Sequence, residues 1–280
     1  MFGAICGDIL GSTFEFDTVK YDDISQIKLF CDTDTFTDDT ALTVAVAEWL
    51  VFDIEKNFAD DAALKRSLAE RFVECSLDRF CGASLGFGGR YWEWVNKAKL
   101  TGEYKPYYSF GNGSAMRVSP VGFAFDTMEE TLRFAKLSAD VTHDHPEGQK
   151  GAMCIAAAVF LARSGKTKEE IRDWLYRAFG YSDLLLSVSQ LRYKYDWSEI
   201  CQDTVPQAVV AFLESTDFES AIRLALSYGS DSDTIGAMTG AIAEAFYGGV
   251  PQYIADFCNG KLPDDIRDSV KYFYSEVCKL

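Results

Sequence analysis

Two histidines and six prolines are all that 280 residues contain, and basic side chains are outnumbered, 27 Lys and Arg against 43 Asp and Glu. A net charge of −16 excludes a phosphate backbone or an anionic membrane surface as the main partner. Long apolar runs are missing too. The most extended, such as "GAMCIAAAVFLA" from Gly151, fall short of the ~20 residues that a membrane-spanning helix needs. No Pro-, Gly- or Ser-rich stretch reads as a linker, so residues 1–280 are expected to form one domain, acting as a monomer. The eight cysteines (Cys6, Cys31, Cys75, Cys81, Cys154, Cys201, Cys258 and Cys278) include no Cys-x-x-Cys pair, and several lie inside apolar runs. With no secretory signal, they are read as reduced, buried thiols of a cytoplasmic protein. Strand alternation is all but absent. "DISQIKLF" from Asp23 is the best candidate for a short extended piece, and nothing repeats at a solenoid period.

What is present is helix, with 48% hydrophobic residues to build a sizeable core. Segments 39–53, 148–162 and 234–247 are apolar on nearly every side, as helices buried in the middle of a protein are. Segments 61–75, 128–140, 167–179, 218–228 and 264–277 alternate charge and apolarity at helical spacing. Thr167 with Glu170 three residues on makes a capping box. The expected fold is all-α, an orthogonal bundle with three central helices wrapped by amphipathic ones.

Chemistry concentrates in the loops. "TFTDDTAL" from Thr35 places Asp38 and Asp39 between Thr37 and Thr40, just before a buried helix. Taken alone it reads as a helix cap, since acids suit a helix N-terminus. "SYGSDSDTIGAMTGA" from Ser227 repeats the grammar with Asp231, Asp233 and Thr234 ahead of a small-residue helix. If the two starts face each other, four carboxylates converge and require cations to neutralise them. Hard oxygen donors select Mg²⁺, Mn²⁺ or Ca²⁺ over zinc, and the spacing is not that of an EF-hand.

Four further stretches accompany these. "GAICGDILGSTFEF" carries Gly3, Gly7 and Gly11 every fourth residue, with Asp8 on that helix and Glu15 just beyond it. "SFGNGSAMR" from Ser109 and "GASLGFGGRYWEW" from Gly82 are backbones able to offer N–H groups to phosphate or hydroxyls. Neither matches a Walker or Rossmann fingerprint. "THDHPEGQKGA" from Thr142 holds both histidines. No further Cys or His lies near enough to complete a zinc site, which leaves a His that donates to a ligand or one that caps the helix starting near Pro146.

Together and in this order, "GAICGDILGSTFEF", "FTDDTAL", "GFGGRYWEW", "GNGSAMR", "THDHPEGQKGA" and "GSDSDTIGAMTGAIAEAFYG" resemble the ADP-ribosylglycohydrolase family over nearly the whole chain. The resemblance implies a binuclear Mg²⁺ or Mn²⁺ centre held by Thr37, Asp38 and Asp39 from one side and Asp231, Asp233 and Thr234 from the other. It implies Asp38 and Asp39 as the essential acid pair, with Glu15 assisting from a flap. Gly86 and Gly88 would lie near a diphosphate. The loop Ser109, Phe110, Gly111, Asn112 and Gly113 would hold ADP-ribose with Phe110 on adenine, and His143 would contact the ligand. The implied reaction is hydrolysis at ribose C1″ that frees ADP-ribose from modified protein side chains, arginine foremost. Serine-linked, nucleic-acid-linked or small-molecule ADP-ribose are alternatives, as is an ADP-ribose-binding protein without catalysis. Two departures stand out. Ser230 occupies a position where relatives have Gly, and residues 82–89 hold no acid to receive a guanidinium, Asp78 being the nearest in sequence.

Overall fold

A computed structural model describes residues 1–80 and 85–278. Helices form wherever the apolar periodicity ran: α1 (Phe2–Ser12), α2 (Asp38–Phe52), α3 (Ile54–Asn57), α4 (Asp61–Glu74), α5 (Gly89–Thr101), α6 (Gly113–Met116), α7 (Ser119–Ala124) and α8 (Met128–Asp140). The second half continues with α9 (Pro146–Arg163), α10 (Lys168–Phe179), α11 (Val188–Lys194), α12 (Cys201–Glu214), α13 (Phe218–Leu226), α14 (Ser232–Tyr247), α15 (Gln252–Lys261) and α16 (Asp264–Phe273). Among the described residues no strand occurs, and one isolated antiparallel bridge joins Gly111 to Ile200. The fold is all-α. The extended piece expected from Asp23 is instead a short 3₁₀ turn, Ile24–Gln26, begun by the Asp23 carboxylate accepting from the Ser25 N–H at 3.0 Å.

Five helices, not three, are buried in the middle. Beside α2, α9 and α14 stand α1, with Gly3 through Gly11 all buried, and α12, buried from Thr204 to Phe212. Helix α12 carries Pro206 in its interior, a residue that normally breaks helices, and packing on α9, α13 and α14 overrides that preference. The described thiols of Cys6, Cys75, Cys154, Cys201 and Cys258 are free and buried, and Cys31 is free and half-buried. Cys81 and the Cys278 side chain lie outside the described residues.

The glycine stripe on α1 explains the centre. Helix α14 runs antiparallel to α1 so closely that a Cβ on Gly236 would lie 2.5 Å from the Gly7 carbonyl oxygen, and one on Gly11 would lie 2.6 Å from Asp233 Cα. Both obstacles are backbone, so no side chain can swing aside. Gly7→Ala is therefore expected to force α1 off α14 at a cost of about 1–3 kcal/mol or more. Urea unfolding measures it, and a variant within about 0.5 kcal/mol of the parent would show that the two backbones do not touch.

Candidate active site

The α1–α14 contact brings Asp8 of α1 to the first turns of both acidic helices. Its buried carboxylate accepts from the Thr37 N–H at 3.0 Å, the Thr37 hydroxyl at 2.8 Å, the Thr40 N–H at 3.1 Å and the Thr40 hydroxyl. Asp8 is thus the cap that α2 receives from another helix. Burial raises its pKa to about 6 against the pull of those four donors. Thr40, which looked like a plain helix-start residue, is tied down by this anion. The Thr37 hydroxyl accepts from the Asp39 N–H at 3.3 Å while donating to Asp8.

The Asp38 N–H donates to the Leu85 carbonyl at 2.8 Å and the Asp39 N–H to the Thr37 hydroxyl, which leaves both carboxylates at the head of α2 on the cavity. Asp38 and Asp39 line a cavity of about 520 Å³ together with Glu15, Asp231, Asp233 and Thr234. The two acidic helix starts do face each other: the Thr234 hydroxyl of α14 donates to Asp39 Oδ2 of α2 at 3.1 Å. Glu15, Asp231 and Asp233 each offer an oxygen within 4.8 Å of the others. Burial, then the negative charge of Asp233 and Asp8, pushes Asp38 and Asp39 well above the usual carboxylate range. Asp233 is raised by burial and by Asp231. The half-buried Glu15 rises to about 7 through desolvation and the charges of Asp233 and Asp8.

Such a cluster is electrostatically incomplete. No lysine or arginine is ion-paired with Asp38, Asp39, Asp231, Asp233 or Glu15 among the described residues. Asp39 Oδ1 is buried with no hydrogen-bond partner, a costly state for a carboxylate oxygen. An all-oxygen donor set around one unsatisfied anion fits hard divalent cations.

The other wall of the cavity is built for a polar, flat ligand. Gly86, with φ of +81°, carries the chain past Asp38 and Glu15: a Cβ there would lie 3.7 Å from Asp38 Oδ1 and 3.9 Å from Glu15 Oε1. Gly88 then caps α5 without a side chain, and the first turn of that helix holds no acid, so its free N–H groups border the cavity beside Arg90. The Arg90 guanidinium donates to the Tyr107 carbonyl and stacks 5.0 Å over its ring. Across from it runs the loop from Ser109 to Gly113, pinned by the Asn112 N–H donating to the Glu199 carbonyl at 2.9 Å. The Cys201 N–H donates to the Phe110 carbonyl at 3.1 Å. Phe110 leaves its ring 40% exposed on this wall. Asn112 lines the cavity. Its Nδ2 donates to Asp231 Oδ2 at 2.6 Å and so orients an acid of the cluster.

The two histidines divide the two roles left open. His145 caps α9, its Nδ1 accepting from the Glu147 N–H at 3.1 Å. His143 is buried at the cavity, with Nε2 facing Gly111 and Gly113. Its Nδ1 sits 2.7 Å from the Thr142 hydroxyl, which accepts from the wholly buried Arg117 Nη2 at 2.8 Å. Arginine can only donate, so the Thr142 hydroxyl keeps its own proton to give to His143 Nδ1, an arrangement in which Nε2 carries the ring proton toward the cavity. Burial and the charges of Arg117 and Arg90 hold His143 well below its usual pKa. Nitrogen-15 imidazole spectra, tractable with two histidines, are expected to show His143 as the neutral Nε2–H tautomer from pH 5 to 8. An imidazolium at pH 6 would contradict the relay.

Asp38, Asp39, Asp231, Asp233, Thr234 and Glu15 meet here, and so do Gly86, Gly88, Ser109, Phe110, Gly111, Asn112, Gly113 and His143. Thr37 does not line the cavity; it stands behind it, between Asp8 and Asp39. Asp78 is elsewhere, ion-paired with Lys99 at 2.7 Å. Residues 82–84 of the glycine-rich stretch lie outside the described residues. Sequence reasoning missed Asp8, Arg117, Trp197 and Glu199. The buried face of a glycine-striped helix was the available signal for Asp8, and the end of "GNGSAMR" the signal for Arg117; Trp197 and Glu199 stand outside every motif quoted.

Comparison with known proteins agrees with this geometry. The profile of the ADP-ribosylglycohydrolase family matches residues 1–278. ADP-ribosylhydrolase ARH3 of Mus musculus is 28% identical over 331 aligned residues, covering 94% of this chain and 87% of that protein. ADP-ribosylarginine hydrolase Tri1 of Pseudomonas putida (strain GB-1) is 27% identical, covering 89% of this chain and 69% of that protein. A solved structure described as an ADP-ribosylglycohydrolase-related protein complex shares the fold, with a TM-score of 0.72 and 21% identity, covering 99% of this chain and 95% of that one. No described helix is long and apolar enough to cross a membrane. On the whole-chain profile match, the chain belongs to the ADP-ribosylglycohydrolase family.

Proposed function

We propose that the chain, acting as one domain and as a monomer, hydrolyses the bond at ribose C1″ that joins ADP-ribose to a protein side chain, arginine foremost. The observation that carries this reading is the polarity of a single cavity. Five carboxylates crowd one end, with an orphaned oxygen on Asp39, and a donor-rich wall with an open aromatic ring forms the other. Asp38, Asp39, Asp231, Asp233 and Glu15 would hold two divalent cations, Mg²⁺ or Mn²⁺, with Thr37 and Thr234 orienting the carboxylates. Bound cations would supply Lewis acidity toward a water and the ribose hydroxyls.

The protein's own groups do the rest. The uncapped N-terminus of α5 and Arg90 suit a diphosphate. His143 Nε2–H donates into the same space, and Phe110 offers its face to adenine. Glu15 Oε1 and Asp38 Oδ1 both face Gly86, placing them to take a proton from an attacking water. Positive charge developing on the ribose would be stabilised by the surrounding carboxylates. For the leaving group, Glu199 contributes a sixth acid to the cavity lining, one able to receive a guanidinium, and the arginine linkage in the name of the Pseudomonas putida relative supports that choice.

A hydrolysis panel over arginine-, serine- and nucleic-acid-linked ADP-ribose, with Mg²⁺ or Mn²⁺ titrated in, tests the reading. Metal-dependent release from the arginine substrate is expected. Release from serine alone would move the linkage assignment. Tight ADP-ribose binding with no release from any substrate would leave a binding protein on the same fold.

A further inference from the structure

Glu15 is the one acid of the cluster that no helix holds. It follows the end of α1 in a turn, yet its carboxylate reaches in to within 4.8 Å of Asp231 and Asp233 oxygens. Something outside the turn keeps it there. Residues 195–200 form a strap without regular helix up to the start of α12, and its Trp197, Glu199 and Ile200 line the cavity. At its centre the Trp197 Nε1–H donates to the Glu15 backbone carbonyl at 2.8 Å. The Trp197 ring stacks on Phe16, with centroids 6.4 Å apart and planes at 27°. These two rings are 37% and 78% exposed, so the indole hydrogen bond and the stacking contact both stand in solvent, where water competes with them. The strap is itself fastened on both flanks. Lys20 Nζ donates to the Tyr195 carbonyl at 2.7 Å, and the Ser198 N–H donates to Ser230 Oγ at 3.2 Å. Ser230 is the departure noted in the second acidic motif, and this hydrogen bond is what the hydroxyl adds.

We propose that Trp197 is a positioning residue that latches the Glu15 turn closed over the acidic cleft, so that Glu15 reaches the cations only while the indole grips its peptide carbonyl. The inference rests on the cation-centre reading above, but the latch itself can be read without any cation. Trp197 touches neither substrate nor metal in this role. It acts through the backbone of Glu15, and Ser230 holds the strap that carries it.

Two variants separate the parts: Trp197→Phe keeps a ring for Phe16 and removes the N–H, while Trp197→Ala removes both. Hydrogen exchange of the amides of residues 14–19, followed by mass spectrometry in metal-free protein, is expected to speed up about threefold or more in Trp197→Phe and further in Trp197→Ala, with no change in α14. Mn²⁺ affinity, measured by titration without substrate, is expected to fall about 3–10-fold in Trp197→Phe, the worth of one hydrogen bond. In a Glu15→Ala background the Trp197 substitutions are expected to shift Mn²⁺ affinity less than twofold, because there is no carboxylate left to position. Unchanged exchange over 14–19 in both variants overturns the latch. So does a Mn²⁺ deficit that persists at full size in the Glu15→Ala background, since that would make Trp197 a general support of the site. If the parent protein binds no Mn²⁺ at all, the cation-centre reading fails, and the exchange data still decide the latch.

Discussion

Asp39→Asn is expected to lower hydrolysis by about 10²–10³-fold while raising the stability of the metal-free protein, two effects of opposite sign from one atom. The substitution keeps the shape and keeps an oxygen for the Thr234 hydroxyl, which Asp39 Oδ2 now accepts. It deletes a buried carboxyl group whose Oδ1 has no partner and which Asp233, Asp8, Asp38 and Asp231 make costly to ionise. Losing a favourable charge in the first turn of α2 costs about 0.3–1 kcal/mol, whereas relieving the repulsion returns more than that. A net rise of about 2–4 °C in Tm without metal follows from about 1 kcal/mol in a chain of this size. If Asp39 were only a cap, the variant would instead lose about 0.5–2 kcal/mol, and the response to Mg²⁺ or Mn²⁺ would stay intact. Thermal melts with and without chelator, beside turnover, distinguish the two.

The second large effect is a reversal of pH dependence on metal binding. Asp8 and Asp231 stand near 6 and Glu15 near 7 in the folded chain, all above their usual values, with burial the leading cause in each. Between about pH 4 and 7 the folded state therefore binds more protons than the unfolded state. For raised carboxylates the sign is that stability increases as pH falls through the folded pKa, and is lost as pH rises above it. Chelator-treated protein is expected to gain of order 1–3 kcal/mol on going from pH 8 to pH 5. A saturating cation needs those same carboxylates charged. At 100 times its Kd it adds about 2.7 kcal/mol at pH 8, and this stabilisation fades toward pH 5 as protons displace it. Two melting series in one set of buffers should cross. Parallel curves would mean that the cations bind somewhere other than the acid cluster.

What the sequence disclosed, and what it hid, follows from how each feature is encoded. The meeting of Asp38 and Asp39 with Asp231 and Asp233 was legible because two helix starts shared an unusual grammar, and repetition is information. The buried character of α2, α9 and α14 was legible from apolarity on every face. Helix α12 was missed because Pro206 interrupts an otherwise apolar run, and only its packing partners rescue it. The N-terminus of α5 was read as glycine-rich loop, since Gly88 and Gly89 carry no helix signal of their own. Asp8 resembled an ordinary acid on a helix until α2 was found hanging its first turn from it. Asn112, expected as a ligand contact, lines the cavity and also donates to Asp231, a pairing across 119 residues that local pattern cannot reveal. Trp197 and Glu199 were silent for the same reason: each acts through a partner brought near only by the fold.

Isothermal titration of Mn²⁺ into chelator-stripped protein at pH 7, repeated in two buffers of different ionisation enthalpy, tests the central claim most directly. The account predicts saturable binding of two ions with net release of protons, because burial and neighbouring carboxylates raise Glu15 to about 7 and push Asp38, Asp39 and Asp233 above the usual carboxylate range, so that cations compete with protons for them. Asp233→Asn should abolish at least one of the two binding events. Binding without proton release, or binding that Asp233→Asn leaves untouched, would contradict it.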